Sequence, residues 1–465
     1  METKSAWLKY DEAGKKEIFF FNEGYKAFLS KCKTERECVT EAISQAEKLG
    51  YKNLSDIIEN GQILQAGDKV YANCMGKALA IFIVGKASME KGMTILGAHI
   101  DSPRLDLKQN PLYEDGGLAM LDTHYYGGVK KYQWTALPLA MHGVVAKKDG
   151  TIITISVGED EHDPVFGVSD LLVHLSATQL DKKGKVVVEG EDLNLNVGNI
   201  PSLDEKEPVK KAILQIIKEK YGFEEEDFLS AEIEIVPAGA ARDYGFDRSM
   251  IMGYGHDDRV CAYPSMKAVF DLGESKEPVP ERTVLCLLVD KEEIGSVGAT
   301  GMQSRFFENT VAELMNATGT YTEIGLRRAL ANSKMLSSDV SAAFDPNYPD
   351  VMEKKNAAYL GNGLCFNKFT GSGGKSGSND ANAEYLAEIR KVLDAEHVSW
   401  QTCELGKVDQ GGGGTIAFIM AKYGMEVIDS GVAVHNMHAP WELVSKVDVY
   451  EAYMGYLTFL RNIGL

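Results

Sequence analysis

A chain of 465 residues exceeds one typical domain about threefold, so it holds two or three domains, or one large domain carrying an insertion. Hydrophobic residues at 44% and charged residues at 25% match an ordinary globular composition, which excludes global disorder and a small stapled scaffold. The 49 Lys and Arg against 68 Asp and Glu give a net charge of −19, a field that repels phosphate backbones and anionic membrane surfaces, so neither nucleic acid nor membrane is an expected partner.

From the N-terminus, residues 1–13 carry scattered charges and no apolar segment, so no secretory signal is expected. No run of about 18 apolar residues follows to span a bilayer. Cys32, Cys38, Cys74, Cys261, Cys286, Cys365 and Cys403 form no Cys-x-x-Cys pair. Reduced thiols, and hence a cytoplasmic protein, are the expectation.

The apolar run Met93–Ala98 predicts a short buried strand ending at His99. Residues 108–252 read differently, with short strand-like segments at Thr151–Val157 and Lys185–Glu189, Lys/Asp/Gly turns, and one clear helix over Pro208–Tyr221. Residues 283–289 form a second continuous apolar run, as expected of a strand covered on both faces, and end at Asp290. Helical patterns occupy 381–394, 414–423 and 445–462, the last opening with Ser445 and Asp448 in capping-box spacing. Pro264 should kink the helix opened by Asp258 or shift its start.

Strands alternating with helices predict an α/β fold with a mostly parallel central sheet flanked by helices. The expected organisation is a discontinuous α/β domain, 1–107 and 253–465, interrupted by an inserted β-rich domain at 108–252.

Several familiar motifs fail. Gly374-Lys375-Ser376 lacks the earlier glycine of a phosphate-binding loop, where Phe369 stands. Asp429-Ser430-Gly431 resembles an aspartic-protease triplet but occurs once, and such sites need two facing carboxylates. There is no His-Glu-x-x-His and no Gly-x-Ser-x-Gly.

What remains is a set of His, Asp and Glu residues at strand ends and loops. His99 and Asp101 are spaced by two, so both point to one strand face and the carboxylate can accept from the ring nitrogen of His99 that holds no metal. Asp257-Asp258 precede a helix, a position that also suits an N-cap. Glu292-Glu293 follow the 283–289 strand at its carboxyl end, where α/β folds place their sites. Asp339 and His438 complete the set. Singly each has an ordinary structural reading; together two imidazoles and several carboxylates match the mixed N and O donors that two divalent cations require.

These residues resemble a known family. Gly97-Ala-His99-Ile-Asp101-Ser-Pro103, His256-Asp257-Asp258-Arg259, Asp290-Lys-Glu292-Glu293-Ile-Gly295, Ser338-Asp339, Asp345-Pro-Asn-Tyr348 and Met437-His438 occur in the order of the aminopeptidase I/aspartyl aminopeptidase family of dinuclear zinc exopeptidases. The resemblance covers nearly the whole chain, and Gly377–Ala381 and Gly411–Thr415 are similar to its bacterial branch.

It implies a zinc exopeptidase-like fold and a metal-dependent aminopeptidase acting on peptides with a free N-terminus. It implies two divalent ions per subunit, zinc first and cobalt or manganese as substitutes. His99 would bind one ion and His438 the other, Asp257 would bridge them, and Glu293 and Asp339 would complete the sites. Glu292 would be the general base that deprotonates the bridging water and later returns the proton to the leaving amine. Asp101 would orient His99.

The resemblance also implies that His174, in the inserted domain, reaches a neighbouring subunit's active site to stabilise the oxyanion, the other reading being a histidine inside an apolar strand. It implies that the insertion dimerises and that dimers assemble into a dodecamer. Animal members carry two further histidines shortly after the zinc-binding Asp; here Ala342 and Asp345 stand instead, which leaves a preference for acidic N-terminal residues unsupported. The competing readings are a dinuclear amidase or deacetylase on the same scaffold, and a non-catalytic assembly protein retaining the fold.

Overall fold

A computed structural model of the chain describes residues 5–204 and 206–464. Within them the chain forms two compact units, one of Met1–Asp101, Ala241–Met437 and Glu442–Leu465, the other of Ser102–Ala240 and His438–Trp441.

The first unit is built on a nine-stranded mixed sheet. Four neighbouring strands, Val284–Val289, Thr94–His99, Lys334–Ser338 and Glu426–Gly431, run parallel. On one side Ala78–Ile83 joins antiparallel to Val284–Val289, and on the other Leu364–Asn367 joins antiparallel to Glu426–Gly431. Val284–Val289 is buried throughout, which explains its uninterrupted apolar sequence: both faces carry helices.

Because side chains alternate across a strand, Leu96, Ala98, Leu336 and Ile428 enter one apolar layer with the helices His256–Glu274 and Lys446–Asn462. Ile95, Met335 and Val427 enter the opposite layer with Phe306–Ala317, Glu323–Ala331 and Ala417–Ala421. Truncating a fully buried leucine such as Leu336 would cost about 2–5 kcal/mol. A smaller five-stranded sheet in the same unit orders Arg242–Tyr244, Met250–Gly253, Glu442–Ser445, Ala433–His435 and Ser341–Ala342.

The second unit is a seven-stranded antiparallel sheet ordered Ile152–Val157, Leu139–Ala146, Ala231–Pro237, Arg104–Asp115, Leu118–Tyr126, Leu195–Gly198 and Gly167–Val168. Its helix Pro208–Ile216 runs on into a π-helical turn, Ile217–Tyr221. The fold is therefore α/β with an inserted β-rich segment.

Several local expectations are corrected. The units divide at Asp101/Ser102 and Ala240/Ala241 rather than near 107 and 252. Strand Arg104–Asp115 pairs within the antiparallel sheet, whereas Met250–Gly253 pairs with Glu442–Ser445 and, on its other side, with Arg242–Tyr244. Lys185–Glu189 forms no strand; Gly184–Val186 is a single 3-10 turn in an exposed stretch. Ser445 makes no side-chain cap, and the Asp448 carboxylate accepts instead from the amides of Gly361 and Gly363, both at 2.7 Å. Pro264 sits inside its helix, and the departure from helical geometry falls instead at Asp257 and Asp258.

Candidate metal centre

Strands Val284–Val289, Thr94–His99 and Lys334–Ser338 lie side by side in parallel register, so their carboxyl ends coincide at the edge where such sheets gather functional groups. His99 is the last residue of its strand and Asp339 follows the last residue of another. Past Val289 the chain turns sharply through Lys291, at φ 67°, into the 3-10 turn Glu292–Ile294. Asp257 stands at the start of His256–Glu274, its amide donating to the Glu442 carboxylate at 3.0 Å.

These elements bring five predicted residues together. Among the described residues, His99, Asp257 and Glu293 offer ligand atoms all within 4.8 Å of one another, as do His99, Glu292 and Asp339. His99 Nε2 is 3.1 Å from Asp257 Oδ1 and 4.0 Å from Asp339 Oδ1. The opposite ring nitrogen is held from behind: Nδ1 lies 3.0 Å from the Asp101 carbonyl and 3.3 Å from its carboxylate. A donor bond on Nδ1 fixes the tautomer that presents the Nε2 lone pair to a metal.

The electrostatics favour a cation. Burial would lower the basicity of His99, but hydrogen bonds to Asp101 and Asp257, with the charge of Glu292, hold its imidazole well above the ordinary range. Burial, followed by the charge of Glu292, pushes the Asp339 carboxyl well up. Buried carboxylates that raise one another are stabilised by a divalent ion placed among them. One imidazole nitrogen with several carboxylate oxygens is a donor set zinc accepts.

The other predicted residues lie elsewhere. His438 is in neither group; it belongs to the second unit, where its Nδ1 is 2.9 Å from the carbonyl of Gly128. His174 sits in the exposed 3-10 turn Val173–Leu175, not in an apolar strand.

Sequence reasoning missed Glu442, whose partner is a backbone amide 185 positions away, and gave Asp258 only a helix-capping reading, whereas it is buried beside Cys261 with its carboxyl pushed well up by burial. Adjacency to Asp257 was the only available signal for Asp258; none marked Glu442.

Comparison with known proteins is consistent along the whole chain. The family model described as aminopeptidase I zinc metalloprotease (M18) matches residues 28–460. The probable M18 family aminopeptidase 1 of Clostridium acetobutylicum is 64% identical over 463 residues, covering 99% of this chain and 98% of that protein. Among solved structures, aminopeptidase I of the same organism superposes with a TM-score of 0.92 at 63% identity, covering 99% of this chain and all of that one. The M18 aminopeptidase of Thermotoga maritima superposes at 0.93 with 44% identity over the full length of both.

Proposed function

The chain belongs to the aminopeptidase I zinc metalloprotease family, M18, and from that premise we propose how its own residues carry out aminopeptidase chemistry. His99, Asp257, Glu293 and Asp339 hold two divalent ions, zinc first, with His438 assigned to the second ion by the family resemblance. When bound, such ions acidify a water and polarise the scissile carbonyl. Glu292 takes the proton of the attacking water and delivers it to the leaving amine. Asp101 holds the His99 ring and the Glu292 amide in place. The acidic cluster anchors the free N-terminal ammonium, which confines cleavage to the first peptide bond.

The observation that carries this reading is the gathering of His99, Asp257, Glu292, Glu293 and Asp339, whose ligand atoms lie within 4.8 Å of one another in each of two overlapping groups. The test compares unblocked with N-acetylated peptides after addition of zinc, cobalt or manganese. Release of the first residue only from unblocked peptides is expected; equal cleavage of both contradicts the amine-anchored mechanism.

Self-association completes the proposal. Leu171, Leu172, Val173 and Leu175 are exposed around His174, and burying such apolar side chains between two copies is favourable. We assign this segment to a dimer contact that brings His174 to a neighbouring subunit's substrate as an oxyanion donor. Dimers would assemble further, to a dodecamer; a yeast protein sharing the fold at 21% identity is described as one. No helix among the described residues is long and apolar enough to cross a membrane, and we propose a cytoplasmic enzyme.

A further inference from the structure

The segment that follows Val284–Val289 leaves the sheet edge and comes back to it. Asp290 and Gly301 form a parallel bridge, and the Asp290 amide donates to the Thr300 carbonyl at 3.4 Å. The side chains close the same gap more tightly. The Thr300 hydroxyl donates to Asp290 Oδ2 at 2.5 Å, and Lys291 Nζ donates to that same oxygen at 2.8 Å. Asp290 is 1% exposed and Thr300 4%, and hydrogen bonds to a buried carboxylate are among the stronger ones.

Glu292 and Glu293 stand between these joined ends. Lys291, which leads into their turn, holds its backbone at φ 67°, a left-handed conformation that a side chain adopts at a cost and that neighbouring contacts must maintain. Its carbonyl accepts from the amides of Ile294 at 3.3 Å and Ser296 at 2.7 Å. Its ammonium is fixed as well: burial would lower it, but the hydrogen bond and charge of Asp290, with the charges of Glu35 and Asp101, hold it above the ordinary lysine range. The returning chain passes so close that a Cβ on Gly301 would stand 2.4 Å from the Ser296 carbonyl oxygen.

The loop is therefore held from two directions. Asp101 grips the Glu292 and Glu293 amides from the His99 strand, and the contact between Asp290 and Thr300 ties the loop's return to its start. Confining both ends matters because a general base acts only within hydrogen-bond reach of its proton, and a displacement of about 1 Å costs on the order of 100-fold in rate. Thr300 itself belongs to neither group of candidate metal ligands.

We infer that Thr300, acting through Asp290, is a positioning residue for the general base: its hydroxyl closes the loop and so sets where the Glu292 carboxylate meets the attacking water. The inference rests on the aminopeptidase reading above and deepens it.

The experiment measures steady-state kinetics and zinc content of the metal-loaded enzyme carrying Thr300→Val, Thr300→Ala or Thr300→Ser, with Thr300→Val also combined with Glu292→Gln. Valine keeps the branched shape without the hydroxyl, alanine lacks the hydroxyl without adding a methyl in its place, and serine retains it. Valine and alanine should each lower kcat by about tenfold or more, with KM within about twofold and zinc content unchanged, and serine should keep most of the wild-type rate. In the Glu292→Gln background Thr300→Val should have little further effect, because the group it positions is gone. Wild-type kcat in the valine or alanine variant overturns the inference, and is what a purely structural role, felt only in thermal stability, would give. A serine variant as slow as valine also overturns it, as does an equal loss in the Glu292→Gln background. A fall in zinc content overturns it too, by assigning the effect to Glu293. If Glu292→Gln alone retains the wild-type rate, the reading of Glu292 as the base fails, and the inference falls with it.

Discussion

The Asp101 carboxylate accepts the backbone amide of Glu292 at 3.1 Å, and with its other oxygen the amide of Glu293 at 3.2 Å. One side chain therefore ties the turn carrying the proposed base and a proposed ligand to the strand carrying His99. Asparagine keeps the size of the group but replaces one acceptor oxygen with a donor, so one of the two amides loses its partner. Asp101→Asn should lower kcat by about 10–100-fold and weaken metal retention, read by steady-state kinetics with elemental analysis. Wild-type kcat with full metal content would show that the tether is dispensable.

Glu292→Gln removes the proposed proton acceptor while preserving shape. Loss of roughly 10²–10⁴-fold in kcat is expected, with metal content close to wild type. An active glutamine variant would move the base elsewhere; an inactive variant that has also lost its metal would identify Glu292 as chiefly a ligand.

Gly431 carries no side chain for a reason the site imposes. A Cβ built there would stand 1.9 Å from the carbonyl oxygen of Asp339 and 3.1 Å from Cys261 Sγ. Gly431→Ala must therefore displace the backbone of a proposed ligand. A stability loss of about 1–3 kcal/mol together with reduced zinc affinity is expected, from thermal denaturation and competition with a chelator. Unchanged affinity would mean that the Asp339 carboxylate can be repositioned freely.

Asp243 is the anion of a cluster remote from the catalytic edge. Lys26 lies 2.6 Å from it, Arg248 2.7 Å, and the fully buried Lys446 2.8 Å. Burial would raise its carboxyl, but hydrogen bonds from Lys26, Lys446 and Arg248 outweigh that and hold it well below the ordinary carboxylate range. Because the folded value is depressed, the stability it contributes is complete above the unfolded value near 3.9 and is lost as pH falls below it. Asp243→Asn should cost roughly 3–5 kcal/mol at neutral pH by stranding the Lys446 charge, and should flatten the acid limb of a stability–pH curve. A variant whose stability falls with acid as steeply as wild type would contradict this.

The parts of this structure legible in the sequence are those decided locally. Thr94–His99 and Val284–Val289 announce themselves because a strand covered on both faces must be apolar throughout, and polar residues at their ends are conspicuous by contrast. What depends on partners distant in the chain was not legible. Asp448 has the spacing of a capping residue, yet the amides of Gly361 and Gly363 compete for it successfully. Lys185–Glu189 has strand-like composition, but β propensity without a neighbouring strand to pair with produces only a turn.

The central claim is that these imidazoles and carboxylates hold a pair of divalent cations. Elemental analysis of the zinc-loaded, desalted protein tests it most directly. Two equivalents per chain in the wild type, falling when His99 is replaced by alanine, is the predicted result; no stoichiometric zinc in a folded chain, with activity unaffected by a chelator, would contradict it.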